Sequence, residues 1–143
     1  MVERSKQKSL QAVQGDALAY LQAAESQSYG AVTGFHIVEH IPFNTLLRIF
    51  KAAHRALVKD GFVIFETPNP ENLIVGSTIF YMDPSHLHPL PPVLLAFALE
   101  TCGFKNIEIK RLHPDADKKT DGLDEEVANL LFGPRDYAVI AYK

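Results

Sequence analysis

The hydrophobic residues of the chain form three kinds of pattern, and each pattern indicates a helix or a strand. Apolar residues at positions 46, 50, 53 and 57 have the spacing of one buried helix face, which predicts a helix over residues 45–58. The continuous apolar run FVIF at positions 62–65 is typical of a parallel strand that helices cover on both faces. Further on, isoleucines at positions 107 and 109 alternate with charged residues, as in a half-exposed strand near a sheet edge.

Turn and cap residues delimit the other elements. Asp16 is a candidate N-cap for a helix over residues 17–24. Lys59-Asp60-Gly61 is predicted to end the helix over residues 45–58. Another helix is predicted to begin at Pro91, and Gly103 lies just past its end. The remaining predictions are strands at 10–14, 29–35, 106–112 and 136–142, a helix at 125–132, a loop at 113–121, and an irregular stretch rich in proline and histidine before residue 91.

The order of these elements predicts an α/β sandwich with a mainly parallel sheet. Strand 29–35 is expected to lie parallel to strand 62–67. The last two strands are separated by no full-length helix, so they are expected to form an antiparallel pair at one edge.

Composition narrows the class of protein. With 143 residues, 47% of them hydrophobic and 22% charged, the chain has the size of a single domain, 1–143. A net charge of -3 argues against nucleic acid as the main partner, since phosphate binding needs clustered basic residues. No apolar run approaches the ~20 residues of a membrane helix, and Cys102 is the lone cysteine, so we expect a cytoplasmic protein.

Histidines and one glutamate form the most conspicuous polar cluster. His36, Glu39 and His40 stand at i, i+3 and i+4, so on a helix they share one face, and His86 and His88 follow later. Imidazole and carboxylate at such spacing suit a divalent metal. The alternative is that His36 and His40 line the mouth of a pocket with Glu39 as their hydrogen-bond partner.

The same residues spell H-x-x-E-H, the signature of inverted zinc peptidases. This function requires the motif to lie within a long helix and needs a third ligand, for which Glu108 is the candidate. Pro42, two residues beyond His40, argues against such a helix.

Four segments carry a resemblance to a known family. They are QGDAL at 14–18, AVTGFHIVEHIP at 31–42, LVKDGF at 57–62 and ETPNPEN at 66–72. In this order and at these intervals the chain resembles class I S-adenosylmethionine-dependent methyltransferases from their third strand onward. Residues 76–92 look like bacterial methyltransferase domains associated with polysaccharide or O-antigen synthesis. The fold that the resemblance implies is a partial Rossmann-like sandwich, mainly parallel with an antiparallel edge strand.

The resemblance also implies roles for individual residues. Asp16 would hold the adenine amino group of S-adenosylmethionine and the amide of Ala17 would meet the ring, while Gly34, Phe35 and His36 would line the methionine part. The implied reaction is methyl transfer, with an oxygen of a saccharide or related small molecule as acceptor.

Catalytic and metal roles follow from the same likeness. His40 or His88 would be the general base, because an imidazole titrates near neutrality. A minority of related enzymes hold a metal with an E-x-x-E-H pattern and a later histidine, which implies ligands His36, Glu39, His40 and His88. Since His36 replaces the first acid, Zn²⁺ or Mn²⁺ is favoured over Mg²⁺.

One departure from the family is large. The chain has no G-x-G, whose backbone amides approach the cofactor, and only fourteen residues precede Gly15. We therefore expect a truncated domain without the first strand, helix and second strand, which binds S-adenosylmethionine weakly or not at all and is inactive alone. In the family the missing strands separate the third strand from the fourth, so residues 10–14 should lack a neighbour. The non-enzymatic alternative is a binding or dimerisation module that pairs with another chain, such as a homodimer, through the exposed sheet edge.

Overall fold

The computed structural model describes residues 5, 7–115 and 120–143. Four strands form one mixed sheet in the order β1-β2-β4-β3. The strands are β1 (Tyr29–Phe35), β2 (Leu57–Pro68), β3 (Lys105–Pro114) and β4 (Pro134–Tyr142). The helices are α1 (Ala17–Ala23), α2 (Phe43–Ala56), α3 (Leu73–Ser77), α4 (Pro92–Thr101) and α5 (Glu125–Phe132), with 3₁₀ turns at Val38–His40 and Ile79–Met82.

The strand pairing confirms the predicted topology. β1 runs parallel to β2, with Val32 opposite Val63. β4 runs antiparallel to both β2 and β3, with Val139 opposite Phe65 and Ile109. The chain is thus an α/β sandwich whose parallel pair is extended by an antiparallel edge.

One face of this sheet carries the core. Val63 and Phe65 of β2 pack beneath the apolar face of α2, where Phe50 is fully buried and its ring lies 5.0 Å from that of Phe65. Burial of one such aromatic side chain contributes roughly 1.5–3 kcal/mol. The opposite face is open: Ile64 is half-buried and Phe35 is 58% exposed.

The glycine predicted to end α2 has another role. The helix ends at Ala56, and Leu57 already pairs with Tyr29 in the sheet. Asp60, not Gly61, adopts the left-handed conformation, with φ 63°. A Cβ on Gly61 would lie 3.0 Å from the carbonyl oxygens of Gly30 and Val58, so glycine is needed for close approach of the backbone.

Two predictions near other loops need correction. Residues 10–14 form no strand and lie outside the sheet, with Val13 75% exposed, which agrees with the expected lack of a neighbour. The loop predicted at 113–121 begins later, because β3 continues to Pro114; positions 116–119 lie outside the described residues.

The stretch predicted as irregular contains the short helix α3. Asn72 caps it by accepting hydrogen bonds from the amides of Ile74 and Val75, both at 3.1 Å. Helix α2, at 14 residues, is the longest one described, and no helix in the described residues combines the length and hydrophobicity needed to cross a bilayer.

Candidate functional site

The predicted polar cluster lies at the carboxyl ends of β1 and β2. The chain turns sharply after Phe35, because His36 adopts φ 50°, a conformation that is costly for a residue with a Cβ. The amide of His36 donates to the carbonyl of Glu66 at 2.9 Å, and the 3₁₀ turn Val38–His40 follows. The amide of Leu87 donates to the carbonyl of Glu39 at 2.9 Å and brings the histidine-containing loop to this turn.

Glu39 is a carboxylate without full hydrogen bonding. Its side chain is 0% exposed, and its Oε2 accepts a hydrogen bond from the Thr67 hydroxyl at 2.9 Å. Its Oε1 has no hydrogen-bond partner among the described residues and lies 3.4 Å from Nδ1 of His36. Among the described residues the ring of His36 therefore lies at ion-pair distance from this buried oxygen without donating a hydrogen bond, so the oxygen can still accept from a cation or donor.

The later histidines divide between two environments. The rings of His40 and His86 lie 4.6 Å apart between centroids, and Nδ1 of His86 is 2.6 Å from the carbonyl of Phe80. His88 instead packs against the ring of Phe43 at 6.4 Å. The structure thus brings His86 rather than His88 to the cluster, because the Phe80 carbonyl and ring hold it there.

His36 also belongs to a second group of polar residues. Its Nε2 lies 3.5 Å from Oε1 of Glu66, and the carboxylate of Asp136 lies close to both of these side chains. Asp136 Oδ2 lies 3.0 Å from Nδ1 of His113. His36 therefore sits between the carboxylates of Glu39 and Glu66 instead of sharing a helix face with His40.

Sequence reasoning missed Glu66, Thr67 and Asp136. Signals for them existed, since Glu66 and Thr67 directly follow the apolar run of β2, and ligands in open α/β sheets bind at the carboxyl ends of strands. Asp136 lies opposite Pro68 because β4 is antiparallel, which brings the beginning of β4 beside the end of β2.

An open cavity of about 460 Å³ lies beside the free edge of β1, and Asp16 and Ala17 line it. Asp16 caps α1 by accepting from the amide of Ala19 at 2.8 Å, as predicted. The cavity wall continues along β1 through Ala31 and Val32 toward its end, where the other predicted cofactor residues Gly34, Phe35 and His36 follow.

Tyr137 fixes the loop after the histidines. Its hydroxyl donates to the carbonyl of Leu90 at 2.7 Å. Burial first, and then the negative charges of Glu39 and Glu71, hold the pKa of Tyr137 far above its ordinary value. Tyr137 therefore stays protonated and has a structural role.

The geometry does not suit the zinc-peptidase alternative. Only the last three residues of its five-residue motif form a helical turn, the 3₁₀ turn Val38–His40, and α2 begins only at Phe43. The nominal third ligand, Glu108, lies on β3 and pairs with Lys110 at 2.7 Å. The helix that this function requires is therefore replaced by a turn.

Comparison with solved structures identifies proteins of the same fold. A SAM-dependent methyltransferase from Archaeoglobus fulgidus is 28% identical, with a TM-score of 0.85 over 99% of this chain and 71% of that one. A SAM-dependent methyltransferase from Thermotoga maritima, described as a possible histamine N-methyltransferase, is 15% identical, with a TM-score of 0.69 over 100% of this chain and 69% of that one. Phosphoethanolamine N-methyltransferase 2 of Haemonchus contortus, crystallised with S-adenosyl-L-methionine, is 17% identical, with a TM-score of 0.69 over 99% of this chain and 39% of that one.

No family model and no curated protein matches the sequence. The structural likeness confirms the predicted fold: the chain has the fold of class I S-adenosylmethionine-dependent methyltransferases.

Proposed function

We propose that this chain forms the acceptor side and part of the cofactor side of an S-adenosylmethionine-dependent methyltransferase. The proposed acceptor is a hydroxyl oxygen of a saccharide or related small molecule. The observation that carries the proposal is the cavity beside β1, since Asp16 and Ala17 line it together with Ala31 and Val32 of the strand that leads to Gly34, Phe35 and His36.

The two roles of Asp16 are compatible. One carboxylate oxygen, Oδ1, accepts the helix-capping hydrogen bond, so the other oxygen is available to accept from an adenine amino group. Ala17 is the first residue of α1, where a backbone amide has no partner within the helix. These two groups would hold the adenine ring at the entrance of the cavity.

The acceptor side would lie at the ends of β1 and β2. S-adenosylmethionine supplies an activated methyl group, and transfer in line to an oxygen depends mainly on positioning. His40 or His88 would take the proton from the acceptor hydroxyl. The left-handed turn at His36 directs the chain across the ends of the strands and so orients the side chains of the proposed acceptor side.

We further propose that residues 1–143 alone bind the cofactor weakly and transfer no methyl group. The sequence contains no G-x-G loop. It also contains no counterpart of the family's second strand with the acid that holds the ribose. Each lost charge-assisted hydrogen bond is worth about 1.5–3 kcal/mol. Loss of two or three would move a roughly micromolar dissociation constant beyond the millimolar range.

Titration of the ¹⁵N-labelled chain with S-adenosylhomocysteine tests both proposals. We expect amide shifts at Ala17, Ala31 and Val32 that are still unsaturated at millimolar ligand. Asp16→Ser keeps a capping side chain but removes the carboxylate, and should reduce these shifts. Asp124→Ser is the matched control, because Asp124 caps α5 in the same manner. Absence of shifts around the cavity would count against the cofactor site, whereas low-micromolar binding would disprove the truncation argument.

A further inference from the structure

Three metal-ligating side chains lie close together beside the turn after β1. Glu39, His40 and His86 each present one potential ligand atom, and these atoms lie within 4.8 Å of one another. His86 comes from a loop more than forty residues away in sequence. The hydrogen bonds around each side chain show which atom is left available.

The proton of His40 is fixed by a chain of hydrogen bonds. The Ser85 hydroxyl donates its single hydrogen to Oδ1 of Asp83 at 2.5 Å. The oxygen of Ser85 must therefore accept from Nδ1 of His40, which lies 3.0 Å away. His40 consequently carries its proton on Nδ1 and has a free lone pair on Nε2.

His86 is held in the same tautomer by a different partner. Its Nδ1 lies 2.6 Å from the carbonyl oxygen of Phe80, and a carbonyl oxygen can only accept. In the neutral ring the proton is therefore on Nδ1 and the lone pair on Nε2, which lies 4.0 Å from Oδ2 of Asp83. Metal-binding histidines characteristically donate their other ring N–H to a carbonyl, a carboxylate or water in this way.

Glu39 provides the negative charge. Thr67 occupies Oε2, while Oε1 has no hydrogen-bond partner among the described residues although the side chain is fully buried. This oxygen lies at ion-pair distance, 3.4 Å, from Nδ1 of His36 but accepts no hydrogen bond, so it remains open as a ligand for a cation.

We propose that Glu39, His40 and His86 form a binding site for one divalent transition-metal ion. The family resemblance implied His36 and His88 as additional ligands, but neither belongs to this group of three. The proposal does not depend on methyl transfer.

The donor set determines the class of metal. Two imidazoles and one carboxylate suit Zn²⁺, Mn²⁺ or Fe²⁺, whereas Ca²⁺ and Mg²⁺ prefer oxygen ligands throughout. Ligands about 2.0–2.2 Å from Zn²⁺ in a tetrahedron lie about 3.3–3.5 Å from one another, so small side-chain movements would close the site. Three protein ligands leave one coordination position for an external oxygen ligand, as in catalytic zinc sites. Bound metal would exclude His40 from the role of base and leave His88.

The direct test is titration of the metal-free chain with Zn²⁺ by calorimetry and with Co²⁺ by visible absorption, without any cofactor. We expect one ion per chain, a Co²⁺ spectrum typical of four- or five-coordination, and a higher melting temperature with metal. His40→Gln and His86→Gln should each weaken binding about 100-fold, and Ser85→Ala about tenfold through the orientation of His40.

His88→Gln is the matched control, since it changes a histidine in the same loop and should leave affinity unchanged. Circular dichroism of each variant verifies folding. The proposal is overturned if no stoichiometric binding occurs, or if His86→Gln leaves affinity unchanged. Loss of binding in His36→Gln with unchanged binding in His86→Gln would assign the ion to the group of His36, Glu66 and Asp136 instead. Methyl transfer can fail its own test without affecting any of these outcomes.

Discussion

The hydroxyl of Thr67 donates to Oε2 of Glu39 at 2.9 Å, and so joins the end of β2 to the turn that follows β1. Both side chains are buried, and among the described residues no other hydrogen bond reaches this carboxylate. The geometry of the site therefore depends on one short side chain in the strand.

Replacement of Thr67 by Val should destabilise the fold. Valine keeps the shape but removes the donor, so both oxygens of Glu39 would be buried without a hydrogen bond. The expected loss is about 1–3 kcal/mol in the free energy of unfolding, measured by urea denaturation at neutral pH. Thr67→Ser retains the hydroxyl and should recover most of the loss. Equal stability of the Val variant and the native chain would mean that Glu39 is protonated or that water satisfies it.

The fold was predictable because its strongest signals are local. The spacing of Leu46, Phe50 and Ala53 predicts the buried face of α2, and the FVIF run predicts the centre of β2. The boundary between them was not predictable in the same way. Gly61 has the sequence pattern of a helix end, yet it is required by the approach of the Gly30 carbonyl, which depends on the register of two strands.

The site was predictable only as a set of residue types. The spacing of His36, Glu39 and His40 places them on one face only if the segment is a helix, and a left-handed residue and a 3₁₀ turn instead place His36 away from His40. The choice between His86 and His88 depends on a hydrogen bond to the Phe80 carbonyl, which leaves no pattern in the sequence.

Gly34 at the end of β1 should not tolerate a side chain. A Cβ there would lie 2.9 Å from Ile37 Cγ2 and 3.0 Å from the ring of Phe65. Because Phe65 is held in the core, Gly34→Ala should cost about 1–3 kcal/mol of stability. Gly30→Ala in the same strand has open space around the added Cβ and should change stability by less than about 0.5 kcal/mol. Thermal unfolding measures the stability of both variants, and equal losses of stability would contradict the prediction.

The free edge of β1 should promote self-association. Among the described residues, β1 pairs with β2 alone, and Thr33 and Phe35 are exposed on it. A strand edge of this kind is a template for pairing with a second chain, here proposed to be another copy. Sedimentation velocity should show dimers that increase with concentration. Thr33→Lys should reduce them because charged side chains blunt strand edges, while Thr101→Lys, on α4, should not. A monomer at all concentrations would exclude the homodimer.

His54 should make the stability of the fold sensitive to mild acid. It lies in the last turn of α2 against Phe104, with ring centroids 5.1 Å apart. Burial first, and then the positive charges of Lys143 and Lys105, lower the pKa of His54 below its ordinary value, although a backbone hydrogen bond with Gly103 opposes the shift. The unfolded chain therefore binds a proton at higher pH than the folded chain does. As the pH falls below about 6.5, protonation favours the unfolded state and stability decreases, until the folded pKa is reached.

Urea denaturation at pH 7.5 and 5.5 measures this effect. The decrease in the free energy of unfolding between these pH values should be smaller in His54→Gln than in the native chain, whatever the absolute stability of the variant. Lys105→Gln provides an independent check, since removal of one positive charge near His54 raises the folded pKa and should also reduce the pH dependence. A steeper decrease in His54→Gln would reverse the assigned sign, because it would mean that the folded state binds the proton more tightly than the unfolded chain.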